Sequence, residues 1–169
     1  VYDSLLSKQT KLVAITHISN TLGTINPIRE IIQKAHKAGA KVLIDGAQSI
    51  QHMKIDVQKL DCDFFVFSGH KVFGPTGVGI VYGKKEVLEN LPPYQGGGDM
   101  IAKVTFDKTT YNVLPHKFEA GTPNISGGIC LGTAFEFLSQ QDMNAISEHE
   151  NELASYAEKE ILKIEGAKI

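Results

Sequence analysis

The sequence predicts an α/β fold built on a largely parallel sheet with helices on both faces. Three observations point there. Short runs of β-branched and aromatic residues recur along the chain, helix-spaced stretches separate or follow them, and Gly with small polar residues closes most of the runs. Ligands of such sheets gather outside the carboxyl ends of the strands, and the polar motifs of this chain fall at those ends.

Lys11 to Ser19 (KLVAITHIS) reads as a parallel strand covered on both faces, because its apolar residues run on without strict alternation. After a turn over Asn20 to Thr24, Asn26 suits an N-cap and Pro27 a first helical position. Ile28, Ile31, Ile32 and Ala35 then keep helical spacing up to Gly39. Lys41 to Asp45 (KVLID) and Asp63 to Phe67 (DFFVF) are a second and a third buried strand, and Gly77 to Tyr82 supplies a fourth. From Glu86 to Tyr111 the chain carries Pro92-Pro93 and Gly96-Gly97-Gly98, a texture of loops and a hairpin. Ser126 is placed to cap a helix through Leu138. Asn144 to Ile164 reads as a longer amphipathic helix with Ile146, His149, Leu153, Tyr156 and Ile161 on one face.

The 169 residues suffice for one ordinary core, and 42% hydrophobic with 21% charged residues is a globular balance. Seventeen basic against nineteen acidic side chains leave a net charge of -2, so nothing draws the chain to nucleic acid or an anionic membrane. Its apolar runs fall well short of the roughly 20 residues that span a bilayer. The opening Val1-Tyr2-Asp3-Ser4 has neither an initiator Met nor a signal-peptide layout and reads as cut. Cys62 and Cys130 form no C-x-x-C pair, which argues against a disulfide framework or a zinc site and fits a reducing, cytoplasmic compartment. Both thiols read as packed rather than nucleophilic. No two of the six histidines take metal-ligand spacing on a helix face, so no metal is expected.

Two constellations carry chemistry. Asp45 ends a buried strand and is followed by Gly46-Ala47-Gln48, which sets its carboxylate at the mouth of the sheet. There it either caps a local turn or pairs with a cation, such as the pyridinium nitrogen of pyridoxal phosphate. Ser68-Gly69-His70-Lys71 follows the third strand and delivers Lys71 to the same edge. Lys71 is either a surface residue in a turn or an amine able to form a Schiff base, with a hydroxyl and an imidazole beside it that suit a phosphate. Gly74-Pro75-Thr76-Gly77-Val78-Gly79 matches neither phosphate-loop pattern and precedes a strand, so it reads as a structural turn.

Taken together, T-H-I-S-N-T-L-G-T-I-N-P (16–27), V-L-I-D-G-A-Q (42–48), F-S-G-H-K-V-F-G-P-T-G-V-G (67–79) and F-E-A-G-T-P-N (118–124) resemble the class V aminotransferase superfamily, and within it the cysteine desulfurases. G-P-T-G after the lysine, G-G-G-D-M-I (96–101) and F-E-A-G-T-P-N resemble the SufS type, which includes selenocysteine lyases. The resemblance runs through essentially the whole chain. It implies a fold type I enzyme with pyridoxal 5'-phosphate on Lys71, which also moves the α-proton of the substrate. Asp45 would pair with the pyridine nitrogen, Gln48 with the ring oxygen, and Asn20 would reach the same region. Ser68 and His70 would hold the phosphate, with Thr122 from the neighbouring subunit of a homodimer. L-cysteine, or L-selenocysteine, would be the substrate. Its sulfur would pass through an enzyme persulfide to an acceptor protein for iron-sulfur cluster assembly, leaving L-alanine.

The same resemblance makes residues 1–169 the central part of the cofactor domain, with flanking parts absent. The family's persulfide cysteine and carboxylate-gripping arginine fall past Ile169, and its phosphate loop and ring-stacking histidine fall before Val1. Arg29, the single arginine, and Cys62 and Cys130 match none of these positions. The chain by itself is therefore expected to be inactive. A class V relative of other chemistry, kynureninase-like or epimerase-like, shares D-G-A-Q and S-G-H-K, and a non-catalytic α/β binding module is the alternative from a different class.

Overall fold

The computed structural model describes residues 1–169, and its centre is a four-stranded sheet in the order β1-β2-β3-β4. These strands are Leu12–Thr16, Lys41–Asp45, Phe64–Ser68 and Gly79–Gly83. The first three run parallel, with Thr16 opposite Asp45 and Asp45 opposite Val66. The fourth is antiparallel, pairing Val66 with Val81 and Ser68 with Gly79. Residues 69–78 join β3 to β4 without the helical crossover that a parallel return requires. Two further strands, β5 (Ile101–Val104) and β6 (Thr109–Tyr111), form a separate hairpin.

The helices are α1 (Tyr2–Leu5), α2 (Ile28–Lys37), α3 (Val57–Leu60), α4 (Lys85–Asn90), α5 (Ile125–Ser139) and α6 (Met143–Ile161). The apolar stripe of α2 buries Ile28, Ile32 and Ala35 against Val42, Ile44, Cys62 and Phe65, with Leu60 of α3 closing the cluster. Each large side chain fully buried there contributes about 1.5–3 kcal/mol. A smaller cluster sets Leu131 and Leu138 of α5 against Val72, with Phe67 and Phe135 edge to face at 5.9 Å. On the other face of the sheet, Leu43 and Val66 are half-buried and Val81 is 69% exposed.

Several boundaries differ from the sequence reading, each because a side chain or amide found another partner. β1 stops at Thr16, after which Ile18 bridges Ile25 across a turn. Asn26 is not the cap of α2: its amide donates to the Thr16 carbonyl at 2.8 Å, and Pro27 takes the cap position. Asn124, not Ser126, caps α5, accepting from the Gly127 N–H at 3.0 Å. Asp142 caps α6 through the Asn144 and Ala145 amides. Three short helices went unforeseen. One of them, α4, starts the stretch read as loops, and Asp56 caps another, α3, through the Gln58 and Lys59 amides.

The apolar face of α6 has no buried residue, and Leu153 and Tyr156 are 53% and 66% exposed. Met143 at its start packs against the Val72–Leu131–Leu138 cluster, and farther along an ion pair sets His52 Nδ1 2.8 Å from Glu150 Oε1. A half-exposed pair of this kind contributes about 0–1 kcal/mol. Glu150→Ala should therefore accelerate amide exchange along α6 while global unfolding stays within about 1 kcal/mol of wild type. Exchange read by mass spectrometry checks this, and unchanged rates in α6 would show that something else holds the helix.

Candidate functional site

Parallel pairing of β1, β2 and β3 brings their carboxyl ends to one edge. Asp45 faces Thr16 on one side and Val66 on the other, and Ser68 stands two residues beyond Val66. Asp45 Oδ1 accepts from the Ala47 N–H at 2.9 Å, so the residue does cap its turn. That bond occupies one of the two carboxylate oxygens.

The turn itself is fixed. Gly46 N–H donates to the Val66 carbonyl at 2.8 Å, and the buried Ser49 hydroxyl donates to the Gly46 carbonyl at 3.2 Å. A Cβ on Gly46 would stand 2.0 Å from Phe65 Cζ, so only glycine lets the chain pass so close to the core. Asp45 thereby sits on a turn anchored to β3.

Beyond Ser68 the chain enters a tight 3-10 turn, Gly69–Val72, with Val72 fully buried beneath α5. Lys71 is half-buried on this turn and joins none of the chain's lysine ion pairs. The loop closes through Gly69 N–H to the Val78 carbonyl, 2.8 Å, and Gly74 N–H to the Gly69 carbonyl, 3.0 Å. Gly77 has a φ of 77° and Gly79 abuts the Phe67 carbonyl, so the glycine-rich segment is the structural turn its sequence suggests.

Asp45 and Ser68 open into one groove of about 520 Å³, which Ala47, Val66 and Val81 also line. The other expected residues lie around it rather than in it. Gln48 is half-buried on the Asp45 turn, where Gln51 Nε2 donates to its Oε1 at 3.4 Å. His70 is exposed beside Lys71, and Asn20 is exposed in the turn after β1. Thr122 is exposed in a separate segment whose neighbours Gly121 and Pro123 line another cavity, about 340 Å³, with Asp99, His116 and Glu119. Ala47, which the sequence reading quoted in D-G-A-Q without giving it a role, is among the groove residues. Its signal was a small residue directly after Asp-Gly at a strand end.

The two thiols differ. Cys62 is fully buried, and burial pushes its pKa up, as expected of a packed thiol. Cys130 is exposed on α5, contrary to the packed role expected of it, because the outer side of that helix meets no other element. No helix is long and apolar enough to cross a membrane.

A carboxylate, a hydroxyl, an imidazole and a free primary amine on consecutive strand ends define an α/β protein equipped to hold a small charged ligand at the carboxyl edge of its sheet. The chain belongs to the aminotransferase class-V family, whose sequence pattern matches residues 1–169. It is 56% identical over 163 residues to a cysteine desulfurase of Enterobacter sp. (strain 638), covering 96% of this chain and 40% of that protein. It is 53% identical over 168 residues to a cysteine desulfurase of Synechococcus elongatus, covering 99% of this chain and 27% of that one. Among solved structures, the Escherichia coli cysteine desulfurase CsdA superposes with a TM-score of 0.93 at 43% identity, covering 96% of this chain and 41% of that chain. A cysteine desulfurase of Thermococcus onnurineus NA1 superposes with a TM-score of 0.89 at 36% identity, covering 96% and 40%. The chain thus spans well under half the length of these relatives.

Proposed function

We propose that the protein is a pyridoxal 5'-phosphate-dependent cysteine desulfurase and that residues 1–169 form the central part of its cofactor domain. The observation that carries this reading is the meeting of Asp45 and Ser68 in one groove, with the unpaired Lys71 on the turn that follows. The donor set fits the cofactor: a carboxylate for a pyridinium nitrogen, a hydroxyl and an imidazole for a phosphate, an amine for an aldehyde. Ala47 lines the groove beside Asp45.

When bound, the cofactor supplies an electron sink for charge developing at the substrate α-carbon. The remaining work falls to side chains. Asp45 would keep the proton on the pyridine nitrogen, Gln48 would hydrogen-bond the ring oxygen, and Asn20 would reach the same region. Ser68 and His70 would hold the phosphate, and Thr122 would do so from the second subunit of a homodimer. Lys71 would hold the cofactor through Nζ, and the same amine would serve as the base for the substrate's α-proton.

L-cysteine is the substrate this reading favours, with L-alanine as product and the sulfur passed to an acceptor protein for iron-sulfur assembly in the cytoplasm. The segments G-P-T-G, G-G-G-D-M-I and F-E-A-G-T-P-N support the SufS type. A solved relative at 30% identity and TM-score 0.65 is described as SspA in complex with cysteine.

Added pyridoxal phosphate should give the chain a visible absorption band, and borohydride should then fix the label on Lys71. Lys71→Ala should lose both with an unchanged circular dichroism spectrum. A label mapped to other lysines, or a band of equal size in Lys71→Ala, would refute the role given to this residue.

A further inference from the structure

A cavity of about 640 Å³ shares no lining residue with the Asp45–Ser68 groove. It lies at the N-terminus of α2, between the residues that follow β1 and the segment 53–60. Three independent features make it attractive to an anion.

The first is the helix end. No side chain caps the ten-residue α2. Of its first amides, Ile28 N–H bonds to the Asn26 carbonyl and Ile31 N–H to the Pro27 carbonyl, while Arg29 and Glu30 N–H bond to no backbone carbonyl. Two donors at the positive end of the helix dipole therefore face an outside acceptor.

The second is the charge balance of the rim. Both carboxylates there are engaged, Glu30 with Lys34 at 2.7 Å and Asp56 with Lys59 at 3.4 Å. Arg29 and Lys54 also line the cavity and join none of the chain's ion pairs, so the uncompensated charge is positive.

The third is His17, which lines the cavity, is 7% exposed, and has an Nδ1 without any hydrogen-bond partner. A buried ring nitrogen left unpaired costs about 1–3 kcal/mol, so the fold retains an unpartnered polar side chain at the cavity wall. Burial also pushes the His17 pKa down, which keeps the ring neutral near pH 7 and able to offer one N–H. Ile28, Met53 and Ile55 add an apolar wall.

We propose that this cavity binds a small organic oxyanion, a carboxylate or phosphate carried on a compact apolar body. The Arg29 and Glu30 amides and the Arg29 and Lys54 side chains hold the anionic head. His17 hydrogen-bonds from the wall, and the body packs on Ile28 and Ile55.

The test is a titration of the chain with phenyl phosphate, with benzoate, and with inorganic phosphate as the head group alone, followed through the Arg29 and Glu30 amide signals. Saturable shifts are expected with one or both aromatic anions, and which of the two binds more tightly separates a phosphate ligand from a carboxylate. Inorganic phosphate should bind more weakly. Arg29→Ala with Lys54→Ala removes two exposed side chains, leaves the core untouched, and should weaken binding about tenfold. Shifts that stay linear, that centre on the Asp45–Ser68 groove, or that survive the double substitution would mean an adventitious ion only and overturn the proposal.

Discussion

Asp63→Ala should lower the unfolding free energy by about 1–3 kcal/mol, the cost of leaving the buried Val42 N–H without its acceptor. Asp63 is 1% exposed and ties α2 and β2 to the start of β3. Its Oδ2 lies 2.8 Å from His36 Nε2 at the end of α2 and accepts from the Val42 N–H of β2, also at 2.8 Å. Lys41 Nζ stands 3.0 Å from Oδ1, close enough to pair but without a well-aligned hydrogen bond. Alanine would leave the Val42 amide buried and unpaired and would release the C-terminal end of α2.

The same residue sets an acid limit. Burial alone pushes the Asp63 carboxyl up, but the hydrogen bonds from His36 and Val42 and the ion pair with Lys41 outweigh it and hold the pKa below the ordinary carboxylate value. The folded chain therefore binds fewer protons at this site than the unfolded one. The stabilisation is complete above the unfolded pKa of about 3.9 and is lost as pH falls through the folded value. Urea midpoints of wild type and Asp63→Asn should differ most at neutral pH and converge in acid. A difference that does not change with pH would show that the carboxylate's charge contributes nothing.

Gly46→Ala should cost about 3 kcal/mol, at the upper end for one methyl forced into a packed core, and should also disturb the candidate site. The new Cβ would meet the Phe65 ring at 2.0, 2.2 and 2.9 Å, and Phe65 is itself 1% exposed among Ile28, Ile44 and their neighbours. The ring cannot yield without opening the core, so the turn must move and carry Asp45 and Ala47 with it. The second substitution that tests this is Phe65→Ala. Alone it should cost about 3–5 kcal/mol, but the pair should cost clearly less than the sum, because the cavity left by one change receives the methyl of the other. Additive costs in the double-mutant cycle would place the strain elsewhere.

The strands were legible because each buried run is a local pattern. β2 was read with the bounds it has in the fold, and β3 and β4 came within two residues. The motifs at their ends were legible for the same reason, since Asp45 and Ser68 through Lys71 directly follow those runs in the chain. Capping was less so. Asn26 and Asn124 are equally good caps by composition, yet Asn26 is drawn away by the Thr16 carbonyl ten positions earlier, a contact that exists only once β1 and α2 meet.

By itself the sequence determined the α/β class, the strand ends at which polar residues gather, and a family resemblance resting on four ordered motifs. Each of these is carried by residues adjacent or nearly adjacent in the chain. Only the tertiary structure decided that Asp45 and Ser68 share a groove, that Asp63 is the buried tie between α2, β2 and β3, and that His17 backs a cavity at the α2 N-terminus. Those facts depend on strand register and on helix docking. Both are set by burying apolar surface between segments far apart in the chain, and no local pattern of residues records which distant side chains that burial brings face to face.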